Sequence, residues 1–198
     1  MPVETAANIL WIGWYATWIA SAFWSARTTM RLSPGVGGLY RMVAMIGCLF
    51  LFFPVNGGTP LFGAVTVAAY TQRLWQSPPW IEWSLLALIA AAFAFCWWAR
   101  LHLGKLWSGF VTLKEGHHVV DTGPYALVRH PIYSGIFFAA LMTALLHATP
   151  AALLGFVLIT LGFAMTAKVE ERFLRQQLGA EPYDAYSRRV PMLVPKLW

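Results

Sequence analysis

Three histidines, one arginine and two tyrosines crowd into the segment from Glu115 to Gly135: His117, His118, Tyr125, Arg129, His130 and Tyr133. Gly123-Pro124 and Pro131 break this segment, because proline lacks an N–H and restricts the residue before it. A second polar group, Glu170, Glu171, Arg172, Arg175, Tyr183, Tyr186, Arg188 and Arg189, lies near the C-terminus. Taken one at a time these residues are ambiguous. Adjacent histidines suit a solvated loop, Arg129 an interfacial charge, and the tyrosines an interfacial belt. Glu171 has a bland role available too, as an i, i+4 partner of Arg175. His130, beside Pro131 at the mouth of an apolar run, is harder to dismiss, since ionisable groups at membrane depth are rare and usually functional. Together the two groups suit the binding of a polar ligand in an otherwise apolar chain.

The elements that must position them are apolar. The 198-residue chain is 59% hydrophobic and 11% charged, with 11 tryptophans, and its mean hydropathy is +0.58. That composition predicts an all-α polytopic membrane protein in one domain, residues 1–198. The net charge of +6 does not point to nucleic acid, because the basic residues sit at the ends of apolar runs. Cys48 and Cys96 lie inside such runs with no metal-ligand spacing, so no metal is expected. The N-terminus lacks the positive stretch of a cleaved signal peptide, so the first run is read as a retained span.

About five transmembrane helices are expected, at Ile9–Trp24, Leu39–Val55, Trp80–Ala99, Ile132–Leu146 and Ala151–Ala167. Thr59–Tyr70 is too short to cross about 30 Å of hydrocarbon, and is expected to be interfacial or re-entrant. Gly155 and Gly162 share a face suited to close helix packing. Lys168–Leu178 is amphipathic and is expected to end at Gly179. Of the 14 lysines and arginines, Arg73 alone falls in a loop that this count places outside. The bias puts the N-terminus outside and the C-terminus in the cytoplasm. Both polar groups then share the cytoplasmic face, where they could close over a soluble cofactor while the spans admit a lipophilic substrate and membrane lipids.

The two motifs together resemble a known family. His117-x-Val-Val-x-x-Gly-Pro-Tyr-x-x-x-Arg-His-Pro-x-Tyr-x-Gly135, followed by Glu-Glu-x-x-Leu-x-x-x-x-Gly-x-x-x-Tyr-x-x-Tyr-x-x-x-Val-Pro from Glu170 to Pro191, is similar to the isoprenylcysteine carboxyl methyltransferase family. That family shares its catalytic half with the phospholipid methyltransferases. The resemblance covers residues 97–198, led in by Leu103–Ser108, whereas 1–96 match only as generic spans. It implies S-adenosyl-L-methionine, released as S-adenosyl-L-homocysteine, in a cytoplasmic pocket formed by the 102–131 loop and the C-terminal amphipathic helix. The cofactor contacts it implies are His117, Val119, Val120, Gly123, Tyr125, His130, Tyr133 and Glu170. Glu171 is expected near the acceptor, and Arg129 or the histidines could meet the cofactor's carboxylate, so Glu171 and Arg129 are the candidate catalytic pair. The chain departs from the family pattern at Thr166, where an arginine is usual and for which Lys168 or Arg172 could substitute, and in the spacing around Leu178-Gly179.

Two other classes compete. NADPH-dependent membrane sterol-type reductases carry a similar Arg-His-Pro-x-Tyr-x-Gly, but usually with Asn and Glu where this chain has Ile132 and Ile136. A non-enzymatic membrane subunit would bind no cofactor, and the near absence of ionisable residues from the spans argues against an ion pathway.

Overall fold

Proline sets where three of the helices begin. α4 (Pro79–Leu103), α5 (Pro131–His147) and α6 (Pro150–Leu178) each carry Pro in the first turn, where its missing N–H would have no helical partner. The computed structural model of the protein describes residues 1–32, 34–52 and 68–195. Before these helices come α1 (Val3–Ser21), the strand β1 (Thr28–Arg31), α2 (Pro34–Phe52) and the short α3 (Ala68–Thr71). Between α4 and α5 lies β2 (Thr112–Lys114), and α7 (Ala180–Arg189) follows α6. Most of the expected 59–70 segment falls outside the described residues.

Two helices, Pro79–Leu106 and Pro150–Leu178, are long and apolar enough to cross a membrane, while Gly38–Phe52 and Pro131–His147 are shorter apolar helices. Leu88, Trp98, Leu154, Val157 and Leu161 point outward from the two long ones and are exposed. Two helices of this length with exposed apolar side chains suggest a membrane protein.

The chain is mostly helical, as expected, but it is not helical throughout: β1 and β2 pair as an antiparallel ribbon with Thr28 opposite Lys114 and Arg31 opposite Thr112. Two loops that meet on one face of the bundle satisfy their backbone groups this way. The amphipathic stretch 168–178 is also not a separate element but the continuation of α6. No Gly or Pro stands between Ala167 and Lys168, so the side chains change character while the backbone does not. The helix does stop at Gly179, which adopts φ 98°.

Small residues set the packing. A Cβ added at Gly155 would lie 2.6 Å from the Gly47 carbonyl, and one at Gly162 would lie 2.7 Å from the Tyr40 carbonyl. Thus α2 and α6 run antiparallel with their backbones in contact. At Gly135 an added Cβ would run into Cys96 Sγ, which seats α5 on α4. Aromatic rings fill the α1–α4 seam, with Trp14 stacked on Trp18 at 4.9 Å and on Phe93 at 4.8 Å.

Contacts between elements define two ends. At one, Arg73 pairs with Glu4 and Glu82, and Leu74 N donates to Ala148 O at 2.7 Å. At the other, the fully buried Arg100 donates to Ser21 O, Trp24 O and Gly104 O at 2.7–2.8 Å, tying the ends of α1 and α4 together. Both polar motifs lie at this second end.

Candidate active site

Backbone pairing assembles the site before any side chain does. After α7 the chain runs back along the start of α5, so that Arg129 N donates to Pro191 O at 2.9 Å and His130 N to Met192 O at 3.1 Å. Ser134 Oγ donates to Leu193 O at 2.5 Å. The Val-Pro end of the second motif is therefore locked against the Arg-His-Pro of the first. Sequence reasoning missed this: the motif placed Val190-Pro191 in the family pattern, but nothing in their side chains announces carbonyls as the partners.

The long α6 then carries two glutamates past the end of its apolar part and onto the same motif. Glu171 Oε1 accepts from Arg129 Nε at 2.7 Å and lies 3.1 Å from His130 Nε2. One residue earlier, Glu170 Oε2 accepts from Tyr133 OH at 2.9 Å. The His130 and Tyr133 rings stack with centroids 5.3 Å apart and planes 7° from parallel. Arg129 Nη1 donates to Ser187 O at 3.0 Å and to Val190 O at 2.6 Å, which binds the end of α7. The alternative pairing of Glu171 with Arg175 does not form, because Arg175 makes a two-pronged bond to Asp184 at 2.7 and 2.8 Å.

Tyr125, Val120 and Gly123 gather around the end of α4. Tyr125 is buried in a cluster with Ala99, Trp107 and Ile132, against which Val120 and Tyr133 pack. Burial, then the nearby Glu170 charge, pushes the Tyr125 phenol well above its ordinary value, so it stays neutral. The turn at Gly123–Ala126 needs glycine first: φ at Gly123 is 57°, and a side chain there would strike the His102 imidazole. His102 in turn lies 2.9 Å from Thr122 Oγ1 and stacks on Tyr125. His102 was not singled out from sequence, since one histidine at the end of an apolar helix carries no pattern.

His117 and Val119 stand apart. His117 Nδ1 accepts from Lys114 N at 3.3 Å within its own turn, and Val119 is half-buried beside it. Among the described residues no hydrogen bond or ion pair joins either to the glutamates. Burial, followed by the charges of His118 and Lys114, lowers the His117 pKa.

An open cleft of about 320 Å³ lies between the tail of α6 and α7. Arg129, Lys168, Glu171, Arg172, Arg175, Tyr183 and Asp184 line it. Burial raises the Tyr183 phenol, and the Arg175 hydrogen bond lowers Asp184, so the cleft offers a neutral phenol between cations and ionised carboxylates. Thr166, where the family usually has arginine, is buried and turns its hydroxyl to Gly162 O at 2.8 Å. Both suggested substitutes, Lys168 and Arg172, border the cleft.

Residues 85–176 match the isoprenylcysteine carboxyl methyltransferase family. The chain is 35% identical over 83 residues to protein-S-isoprenylcysteine O-methyltransferase B of Arabidopsis thaliana, covering 41% of this chain and 42% of that protein. To the protein-S-isoprenylcysteine O-methyltransferase of Saccharomyces cerevisiae it is 38% identical over 86 residues, 42% of this chain and 36% of that protein. To methanethiol S-methyltransferase 2 of Bradyrhizobium diazoefficiens it is 40% identical over 78 residues, 37% of this chain and 27% of that protein. The chain thus spans less than half the length of each of these relatives.

Proposed function

We propose that this chain, whose residues 85–176 belong to the isoprenylcysteine carboxyl methyltransferase family, is an integral membrane methyltransferase that uses S-adenosyl-L-methionine and methylates a lipophilic acceptor. The observation that carries the proposal is the meeting of Glu170 and Glu171 with Arg129, His130 and Tyr133 at 2.7–3.1 Å. In this reading five helices cross the bilayer, with the N-terminus outside and the site in the cytoplasm.

The residues fit such a cofactor. Its methionine end presents a carboxylate and an ammonium, and the cleft sets guanidinium groups and carboxylates side by side. Arg172 borders the cleft and would take the carboxylate, and Glu170 the ammonium. Tyr125, Val120 and the His130–Tyr133 stack offer the flat and apolar surfaces that an adenine needs. His117 and Val119 would complete the pocket at its edge. When bound, the cofactor supplies a methyl group already activated on a sulfonium, so positioning and water exclusion account for much of the rate. Arg129 is spread over Glu171 and two backbone carbonyls, which suits it to holding Glu171 rather than to contacting the cofactor itself. Glu171, held from two sides, is the group we place nearest the acceptor.

A carboxylate acceptor, as in the isoprenylcysteine O-methyltransferases, is already ionised at neutral pH and needs no general base. A thiol acceptor is the second reading, favoured by the 40% identity to methanethiol S-methyltransferase 2. Lys168, which borders the same cleft, favours the anionic acceptor. Calorimetric titration of detergent-purified protein with S-adenosyl-L-homocysteine, with NADPH in parallel, tests the cofactor. Binding of the former alone supports the proposal, and binding of NADPH alone would replace it with a reductase. Transfer of labelled methyl to a prenylated cysteine or to a small thiol then separates the two acceptors.

A further inference from the structure

Two guanidinium groups share one exposed phenyl ring. Arg31 Cζ lies 3.9 Å and Arg41 Cζ 4.3 Å from the centre of the Phe110 ring. The two cations can therefore be no farther apart than the sum of those distances, and they repel each other. Elsewhere in the chain Arg73, Arg129, Arg175 and Arg189 each face a carboxylate. Neither Arg31 nor Arg41 does so among the described residues. Three separate elements deliver the group: β1 ends at Arg31, Arg41 is the only charge on α2, and Phe110 immediately precedes the turn into β2. The ribbon fixes the first and third, since Arg31 pairs with Thr112 and Leu32 N donates to Val111 O at 3.1 Å.

We propose that Arg31 and Arg41, held on Phe110, form a binding site for a phosphate oxyanion, filled by the headgroup of an anionic phospholipid. A tetrahedral oxyanion between two guanidinium forks would turn their repulsion into two charge-assisted contacts. The surroundings favour a lipid as its source. Met42, Met45 and Leu49 on α2 are exposed and run away from Arg41 along the apolar helix, as acyl chains would. Met30 and Phe110 are also exposed beside the charges, which places the group where an apolar rim meets a basic end. The site contains neither Glu170 nor Glu171, though Arg41 lies within electrostatic reach of Tyr133, and its test needs no methyl transfer.

The test uses the full chain in neutral detergent and follows thermal unfolding as lipid is added. Wild type should gain several degrees of Tm with phosphatidylglycerol and little with phosphatidylcholine. The double variant Arg31→Gln/Arg41→Gln should lose the difference, with apparent affinity falling at least about tenfold, whereas Lys105→Gln/Arg188→Gln, of equal charge change, should keep it. Arg31→Gln alone sits on an exposed strand and provides the same readout should the double variant fold poorly. Inorganic phosphate is added alone in a parallel series. An arginine-dependent shift with phosphate as well as lipid supports an oxyanion site open to either source, and a shift with lipid only supports a headgroup site. Equal responses of the arginine variants and the charge-matched control would overturn the proposal.

Discussion

Glu171 Oε1 accepts a hydrogen bond from Arg129 Nε at 2.7 Å, across 42 residues of sequence, and both side chains are mostly buried. The pair links the two polar motifs and leaves the carboxylate aimed at the cleft. Removing one partner of such a pair strands a charge, so Arg129→Ala should cost about 3–5 kcal/mol of stability and loosen α7, whose last carbonyls it also holds. Glu171→Gln keeps shape and loses charge. We expect kcat for methyl transfer to fall about 10–100-fold, with cofactor affinity changed much less. The reverse split would move Glu171 into the cofactor's contact shell. Combining Arg129→Lys with Glu171→Gln should show coupling of at least about 1 kcal/mol, since the two act on one contact.

Tyr133 meets Glu170 through its hydroxyl at 2.9 Å and meets His130 through its ring. These two roles separate by substitution. Tyr133→Phe should keep the stack, free Glu170, and weaken S-adenosyl-L-homocysteine binding by about tenfold, the scale of a lost charge-assisted hydrogen bond. His130→Ala should remove both stack and Glu171 contact and abolish binding while membrane insertion persists. Unchanged affinity in both variants would remove these residues from the pocket.

Arg100 should be structural. It is fully buried, donates to three carbonyls on two helix ends, and lies 4.6 Å from the Trp107 ring centre. Lysine cannot reproduce that fork. Arg100→Lys should therefore lower stability by about 2–3 kcal/mol and leave KM for the methyl donor near wild type once folded protein is counted. A selective rise in KM would instead give Arg100 a direct part in the site.

How much of this was legible in sequence follows from the kind of signal each feature leaves. The helix starts at Pro79, Pro131 and Pro150 and the stop at Gly179 are written in local residue types and came out as expected, whereas α1 and α2 begin five or six residues earlier than their apolar runs and α6 continues past Ala167 to Leu178. The association of Arg129, His130 and Tyr133 with Glu170 and Glu171 was legible only through the paired motif, because spacing alone left the Glu171–Arg175 alternative open. The ribbon of Thr28–Arg31 with Thr112–Lys114 was not legible, since the strands are four and three residues long and are separated by α2, α3 and α4. The locking of 190–193 onto 129–134 was hidden for a similar reason: its acceptors are backbone carbonyls, which every residue has.

Glycines divide sharply by surroundings. Gly13 has nothing within 4 Å of an added Cβ, whereas Gly155 meets the Gly47 carbonyl and Leu51 N at 2.6 and 2.7 Å. Gly13→Ala should be neutral or stabilise by up to about 1 kcal/mol, the helix-propensity difference. Gly155→Ala must separate two backbones and should cost about 1–3 kcal/mol. Detergent-resistant folded yield and Tm would rank the two variants, and equal tolerance would contradict backbone contact between α2 and α6.

The His117 turn should titrate. Its Nδ1 accepts from Lys114 N, which only a neutral imidazole can do, and burial with the charges of His118 and Lys114 lowers its pKa. A depressed folded-state pKa means that the neutral form belongs to the fold. The stabilisation is complete above the unfolded imidazole value of about 6.5 and is lost as pH falls through the lower folded value. Wild type should thus lose Tm between pH 7 and pH 5 by more than His117→Asn, which offers a similar acceptor without titrating. The difference between the two curves is the quantity to measure. Parallel curves would mean that His117 has the same pKa folded and unfolded, and that its hydrogen bond does not hold the turn ahead of Gly123.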